Sequence, residues 1–224
     1  MGNDVWIKQY KKPKLNNPVA VVGSPGLRSV GKLAIESLIE KTGAQLIAEL
    51  YSTHLPSIYE TKPSYAAHPA FPGGGGVIVS TSALDMPKVQ FYASKKPDLL
   101  LVKGYHANFD GQHVVAAKVD DFLFQKKVKR MFVIAGYGCR EKSMCCAATS
   151  LQLLSDMKEK HSLGTGYKGP FMGFSGLVFG LSKLKAIESV CLFAGTQPNE
   201  EDLEYPDKEA SERAVAKLKQ ILSF

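Results

Sequence analysis

No run in the sequence approaches the ~18 consecutive apolar residues that cross a bilayer. The lysine-bearing stretch Met1 to Lys14 has no apolar core of the secretory kind. The expected compartment is therefore the cytoplasm, with no membrane partner. Cysteine is scarce and unpaired. Cys139, Cys145, Cys146 and Cys191 form no C-x-x-C, and no His-x-x-x-His accompanies them, so no metal site is expected. They read as small buried side chains near strand ends, and neighbours Cys145 and Cys146 point to different sides and do not bridge. Internal repeats and low-complexity linkers are missing. So are aromatics interleaved with the basic residues, although the net charge is +7. Lys8, Lys11, Lys12 and Lys14, then Lys95 and Lys96, then Lys126, Lys127, Lys129 and Arg130 lie in scattered pieces without stacking platforms. They read as a solvated surface, with no nucleic-acid partner. A basic patch facing an acidic protein stays open.

The common catalytic sets are also missing. Gly173-Phe174-Ser175-Gly176 lacks the G-x-S-x-G spacing of a nucleophile elbow. The histidines His54, His68, His106, His113 and His161 sit mostly in loop-like segments, none at metal spacing with a carboxylate. Gly26, Gly31 and Lys32 match the opening of a Walker A loop, G-x-x-x-x-G-K, but the residue that should ligate magnesium is Leu33. No apolar strand ends in the aspartate that would supply the second metal contact, and Pro25 removes one N–H from the cradle. No catalytic residue, metal or cofactor is expected on these grounds.

What is present is a chain of 224 residues, enough for one well-buried domain, in which strand-like and helix-like runs alternate. Val19–Val22, Ala44–Tyr51, Asp98–Gly104, Arg130–Gly138 and the run Ser-Val-Cys-Leu-Phe-Ala-Gly-Thr ending at Thr196 are apolar strands. Val30, Leu33, Ala34 and Leu38 form a helical stripe with Ser29 as cap and Gly43 as stop. Gly111–Lys126, Ser150–Glu159, Phe174–Lys185 and the terminal segment from Ala214 to Leu222 carry helical periodicity. Gly176 and Gly180, four apart in a helix, cost roughly 1 kcal/mol each against alanine, which implies a backbone pressed close to both. The prolines and Gly73–Gly76 of His-Pro-Ala-Phe-Pro-Gly-Gly-Gly-Gly mark a turn, and Val77–Ser80 with Lys88–Ser94 suggest a β-hairpin arm, the candidate interface element over Val77–Ser94. The expected fold is a three-layer α/β/α sandwich with a mixed central sheet over 18–224, preceded by a polar, lysine-rich segment over 1–17.

Two candidate sites follow. Gly23 and Gly26 turn the chain from strand to helix, Gly31 permits close helix–sheet packing, and the first N–H groups of that helix offer an anion a place, with Lys32 nearby. Tyr105, His106, Asp110 and His113 cluster at the end of a strand, where α/β folds place ligands, and could do acid–base work. Asp110 could equally cap a helix. An enzyme binding a small molecule between Gly23–Lys32, Tyr105–His113 and Gly136–Arg140 is thus one functional reading.

The other comes from a resemblance. Val19 to Ser52, a strand, Gly-x-Pro-Gly, Val-Gly, a helix and a Gly-Ala strand leading to a Glu beside Tyr-Ser, resembles the opening of the proteasome assembly chaperone 2 family. The likeness recurs in Asp98–Gly104, in Arg130–Gly138 with Gly136 and Gly138, and in the block Gly169-Pro170, Gly173, Ser175-Gly176-Leu177, Gly180-Leu181. It covers roughly Val19 to Phe224. The resemblance implies a sandwich of the phosphorylase/hydrolase-like type, no established catalysis, homo-oligomers, and protein partners such as proteasome α-subunits, which relatives escort during assembly. Relatives that dock on the α-ring often end in hydrophobic–Tyr–any. Here the candidate docking tail is Leu222-Ser223-Phe224, with serine in the penultimate place. The Pro-Gly-rich stretch Ala70–Gly76 is a second candidate surface.

Overall fold

The apolar runs read as buried strands lie side by side. A computed structural model describes residues 4–55, 78–80, 83–165, 167–197 and 205–224. Its elements in chain order are β1 (Val5–Gln9), β2 (Val19–Gly23), α1 (Val30–Thr42), β3 (Gln45–Ser52), β4 (Ile78–Ser80), β5 (Ala83–Asp85), β6 (Val89–Lys95), β7 (Asp98–Lys103), α2 (Gln112–Gln125), β8 (Arg130–Gly138), β9 (Met144–Ala148), α3 (Leu151–His161), β10 (Gly164–Thr165), α4 (Gly173–Ser182), β11 (Glu188–Thr196) and α5 (Lys208–Leu222). Nine strands form one open mixed sheet in the order β1-β3-β6-β7-β2-β8-β11-β9-β10. Its centre, β7-β2-β8-β11, is parallel. β1, β3 and β6 continue it antiparallel on one side, and β9 pairs antiparallel with β11 on the other.

The parallel strands read as continuous apolar runs because both faces are covered. Ala20, Val22, Leu100, Val102, Met131, Val133, Cys191 and Phe193 pack with α2 and α4 through Val115, Val119, Phe122, Phe174 and Val178. The alternate residues Val21, Leu99, Leu101, Phe132, Ile134, Val190 and Leu192 pack with α1, α3 and α5 through Ala34, Leu38, Leu153, Met157, Ala214 and Leu218. Period two in the strands and one apolar stripe per helix give the expected α/β/α sandwich.

Several local expectations need correction. Val5–Gln9, inside the stretch read only as polar, pairs antiparallel with β3 in the main sheet. Of the arm expected from Val77–Ser80 and Lys88–Ser94, Val77 lies outside the described residues, and β6 does not pair with Ile78–Ser80. Ile78–Ser80 pairs with Ala83–Asp85 in a separate two-stranded sheet, while β6 sits between β3 and β7, where its apolar residues are buried. Met144–Ala148 is a strand that the sequence reading passed over. Ser29 does not cap α1 with its side chain, because φ 55°, ψ 19° is left-handed rather than the extended geometry a cap needs. Gly111, φ 71°, takes the cap position of α2, so Asp110 lies one residue too early. Ser150 does cap α3, accepting from the Leu153 N–H. Ala70–Gly76 and His68 lie outside the described residues.

Candidate functional site

The carboxyl ends of the four parallel strands meet three loops. The first, between β2 and α1, brings backbones into contact. A Cβ on Gly31 would stand 2.5 Å from the Ile134 carbonyl oxygen, and one on Gly23 would stand 2.3 Å from that of Gly31. Only glycine lets α1 begin directly on the sheet. Arg28, itself left-handed at φ 48°, ties this loop to the far end of the chain. Its Nε donates to the Tyr205 carbonyl at 2.7 Å and its Nη1 to that of Gln197 at 2.6 Å. Asp207, which caps α5 through the Ala210 N–H, takes part in the same knot. Burial pushes its carboxyl up, but the Ala210 N–H, the Thr196 hydroxyl and Arg28 hold it below its ordinary value.

Against this loop α4 places its own first turn. The Ser24 and Ser175 hydroxyls are hydrogen bonded at 2.7 Å out of contact with solvent, and the Phe174 N–H donates to the Ala107 carbonyl. A Cβ on Gly176 would stand 2.0 Å from the Phe171 carbonyl oxygen, so the close approach expected for this helix occurs there. It does not occur at Gly180, where a Cβ would meet nothing within 4 Å. Gly26, Gly31 and Gly136 line the crevice left between the two helix starts, but its volume is about 20 Å³, room for about one water molecule. Lys32 is half-buried and does not line it.

The second loop, between β7 and α2, does not assemble the expected polar cluster. His106 is buried, its Nδ1 accepting from the Asn108 N–H at 3.1 Å. Its ring lies edge-on to Phe109 and is tilted against Tyr105. Tyr105 packs on the first core cluster, whereas Asp110 and His113 are exposed. Phe224 likewise packs against the second core cluster with the Lys219 ammonium 5.9 Å from its ring centre, and Ser223 ends α5 in a left-handed turn.

The third loop carries the roomiest of these sites. Beyond β8 and β11 lies a groove of about 710 Å³ whose walls include Tyr137, Cys139, Ser143, Cys145, Tyr167, Lys168 and Phe171. Tyr167 stacks on Phe193 with ring centres 4.2 Å apart, and Phe171 meets Phe193 edge-on at 4.9 Å. At the polar end the Tyr137 and Ser143 hydroxyls are 2.7 Å apart, with the Cys139 sulfur 3.7 Å from Ser143. Burial pushes the Tyr137 phenol up to about 12 and also raises the Cys145 thiol. The Cys139 thiol goes the other way, held below its ordinary value by the Glu141 N–H and then by Ser143 and Tyr137. Gly136 and Gly138 line this groove; Gly173, Gly176 and Gly180 do not. The reading from sequence reached only its Gly136–Arg140 wall. Tyr167 to Met172 looked like plain loop, and nothing in the linear order joins that segment to Ser143. Among the described residues no group of three or more His, Cys, Asp or Glu side chains could hold a metal ion, and no helix is long and apolar enough to cross a membrane.

Fold and groove together define an open-sheet α/β/α sandwich with an aromatic-walled cleft at its strand ends. The chain belongs to the PAC2 family, whose model matches residues 20–224. It is similar to the uncharacterized protein MJ1210 of Methanocaldococcus jannaschii, 23% identical over 189 residues, 81% of this chain and 67% of that one. Among solved structures it resembles Pyrococcus furiosus PbaB, described as an archaeal proteasome activator, with TM-score 0.79, 26% identity, and coverage of 99% of this chain and 90% of that one. Pyrococcus furiosus PbaA, described as an archaeal homolog of proteasome-assembly chaperone, shares the fold with TM-score 0.73, 17% identity, and coverage of 98% and 86%.

Proposed function

We propose that this chain is a non-enzymatic protein-binding chaperone that acts as a homo-oligomer in the cytoplasm and escorts proteasome α-subunits during assembly. The observation that supports this most is the likeness to PbaB, which runs through 99% of the chain at 26% identity. It is a likeness of the whole molecule rather than of one motif. The glycines fit a scaffold: at Gly23, Gly31 and Gly176 they serve contact between backbones. Large apolar side chains also face solvent, among them Trp6 on the edge strand β1, Tyr10 just after it and Met172 at the groove. Such groups are the stock of protein interfaces. Co-purification of the tagged full chain with recombinant proteasome α-subunits tests the proposal. Retention of α-subunits by the chain, and not by an unrelated tagged protein, is expected; equal recovery from both would reject it.

A further inference from the structure

We infer that the open edge of β1 is a docking site for the same edge of a second copy of this chain, the two strands pairing antiparallel about a two-fold axis at Trp6. The inference rests on the homo-oligomer in the function proposed above and names the surface that forms it. Among the described residues β1 pairs with β3 alone and ends the nine-stranded sheet. The Asp4 carbonyl accepts from the Thr53 N–H at 3.1 Å, and the Tyr10 N–H donates to the Ile47 carbonyl at 2.8 Å. Backbone groups change side at every residue of an antiparallel strand. The even-numbered residues therefore bond β3, and the N–H and C=O groups of Val5, Ile7 and Gln9 point away from the sheet. Such a row is a template for another strand.

The side chains of the same strand select the partner. Asp4, Trp6 and Lys8 are exposed on one face, while Val5 and Ile7 pack on the first core cluster. The outward groups of two copies meet only where odd-numbered residues stand opposite odd-numbered ones, so the axis passes through a residue and not between two. An axis at Lys8 sets its ammonium against its own copy, which is unfavourable. An axis at Ile7 sets Lys8 opposite Trp6 and leaves Asp4 without a cation. An axis at Trp6 sets Asp4 of each copy opposite Lys8 of the other, Val5 opposite Ile7, and the Trp6 rings side by side. Asp4, Trp6 and Lys8 then fall at positions without hydrogen bonds between the strands, where side chains come closest. The run Asp-Val-Trp-Ile-Lys is thus complementary to itself. Trp6 already stacks on Tyr51 of β3, with ring centres 6.0 Å apart, and the pairing continues that aromatic row into the second copy. Strand pairing alone buries less than a standard interface, so the dimer forms and dissociates with concentration.

The test is native mass spectrometry of the full chain over a series of concentrations. The wild type should show a dimer that grows with concentration. Asp4→Lys and Lys8→Asp should each weaken it about fivefold or more, because each puts like charges opposite one another. An equimolar mixture of the two variants should regain it as a mixed dimer, since each supplies the charge the other lacks. Under mild oxidation Trp6→Cys should cross-link to its own copy above the wild-type level, whereas Lys8→Cys, whose two copies lie about 13 Å apart along the strands, should not. An assembly unmoved by the single variants, a mixture without mixed dimer, or cross-linking of Lys8→Cys in place of Trp6→Cys overturns the inference and leaves the homo-oligomer standing. A wild type that stays monomeric overturns both, and retention of α-subunits remains a separate readout of the chaperone.

Discussion

Replacing Asp120 by asparagine should make the protein more stable in alkaline solution and leave it nearly unchanged in mild acid. Asp120 lies on the packed side of α2, fully buried, and neither of its carboxyl oxygens has a hydrogen-bond partner. Burial, with the Asp121 charge adding to it and Lys185 opposing, raises its pKa from 3.8 to about 8. The folded chain therefore holds the neutral acid. An unfolded chain at neutral pH would ionise, so the unfolded state gains from rising pH and the folded state does not. The stability associated with this group is complete below about pH 4, falls through the interval, and levels off above about pH 8. At about 1.4 kcal/mol per pH unit the full span corresponds to roughly 6 kcal/mol, an upper limit because water reaches an ionised side chain. Asparagine has nearly the shape of the neutral acid and does not titrate. Guanidinium unfolding at about pH 3.5, below the unfolded pKa, should separate variant and wild type by no more than about 1 kcal/mol. At about pH 9 the variant should be ahead by about 2–4 kcal/mol. A difference that does not change between the two pH values would refute the reasoning.

Other substitutions probe the same structure. Gly31→Ala drives a methyl group into the Ile134 carbonyl and should cost about 2–4 kcal/mol in denaturant titrations. Gly180→Ala meets nothing within 4 Å, and should raise stability by about 0.5–1 kcal/mol in the same assay. Glu49 on β3 accepts from the Tyr10 and Tyr51 hydroxyls and pairs with Lys88. Burial alone would raise its carboxyl, but these partners bring it from 4.5 down to about 2. Its contribution is thus present above about pH 4.5 and lost as the pH falls toward 2. Glu49→Gln should cost about 1–2 kcal/mol at neutral pH, and thermal melts of the two proteins should converge in strong acid.

The central sheet was legible because its strands are buried on both sides. An unbroken run such as Leu99 to Val102 needs no context to be read. β1 was hidden by its place at the edge. Trp6 and Lys8 face solvent there, and only Val5 and Ile7 point to the first core cluster, too few to mark a strand among lysines. β9 was hidden by composition, since Cys145, Cys146, Ala147 and Ala148 carry little strand preference. The close packing at Gly31 was expected from its place at a strand-to-helix turn, and that at Gly176 from its spacing with Gly180. The empty space at Gly180 was not, because spacing cannot say which side of a helix meets a neighbour. The cap expected of Ser29 failed for a related reason: the backbone of Arg28 and Ser29 is left-handed in a loop whose Arg28 side chain bonds Tyr205 and Gln197, far along the chain. The groove is made the same way, from Tyr137, Ser143 and Tyr167 on separate segments.

Native mass spectrometry of the purified chain mixed with recombinant proteasome α-subunits from the same cell bears most directly on the account. A complex holding both proteins at a fixed ratio, formed before any mature α-ring appears, is the predicted spectrum. A spectrum holding only the separate proteins, under conditions where a known assembly chaperone binds its own α-subunits, would contradict it.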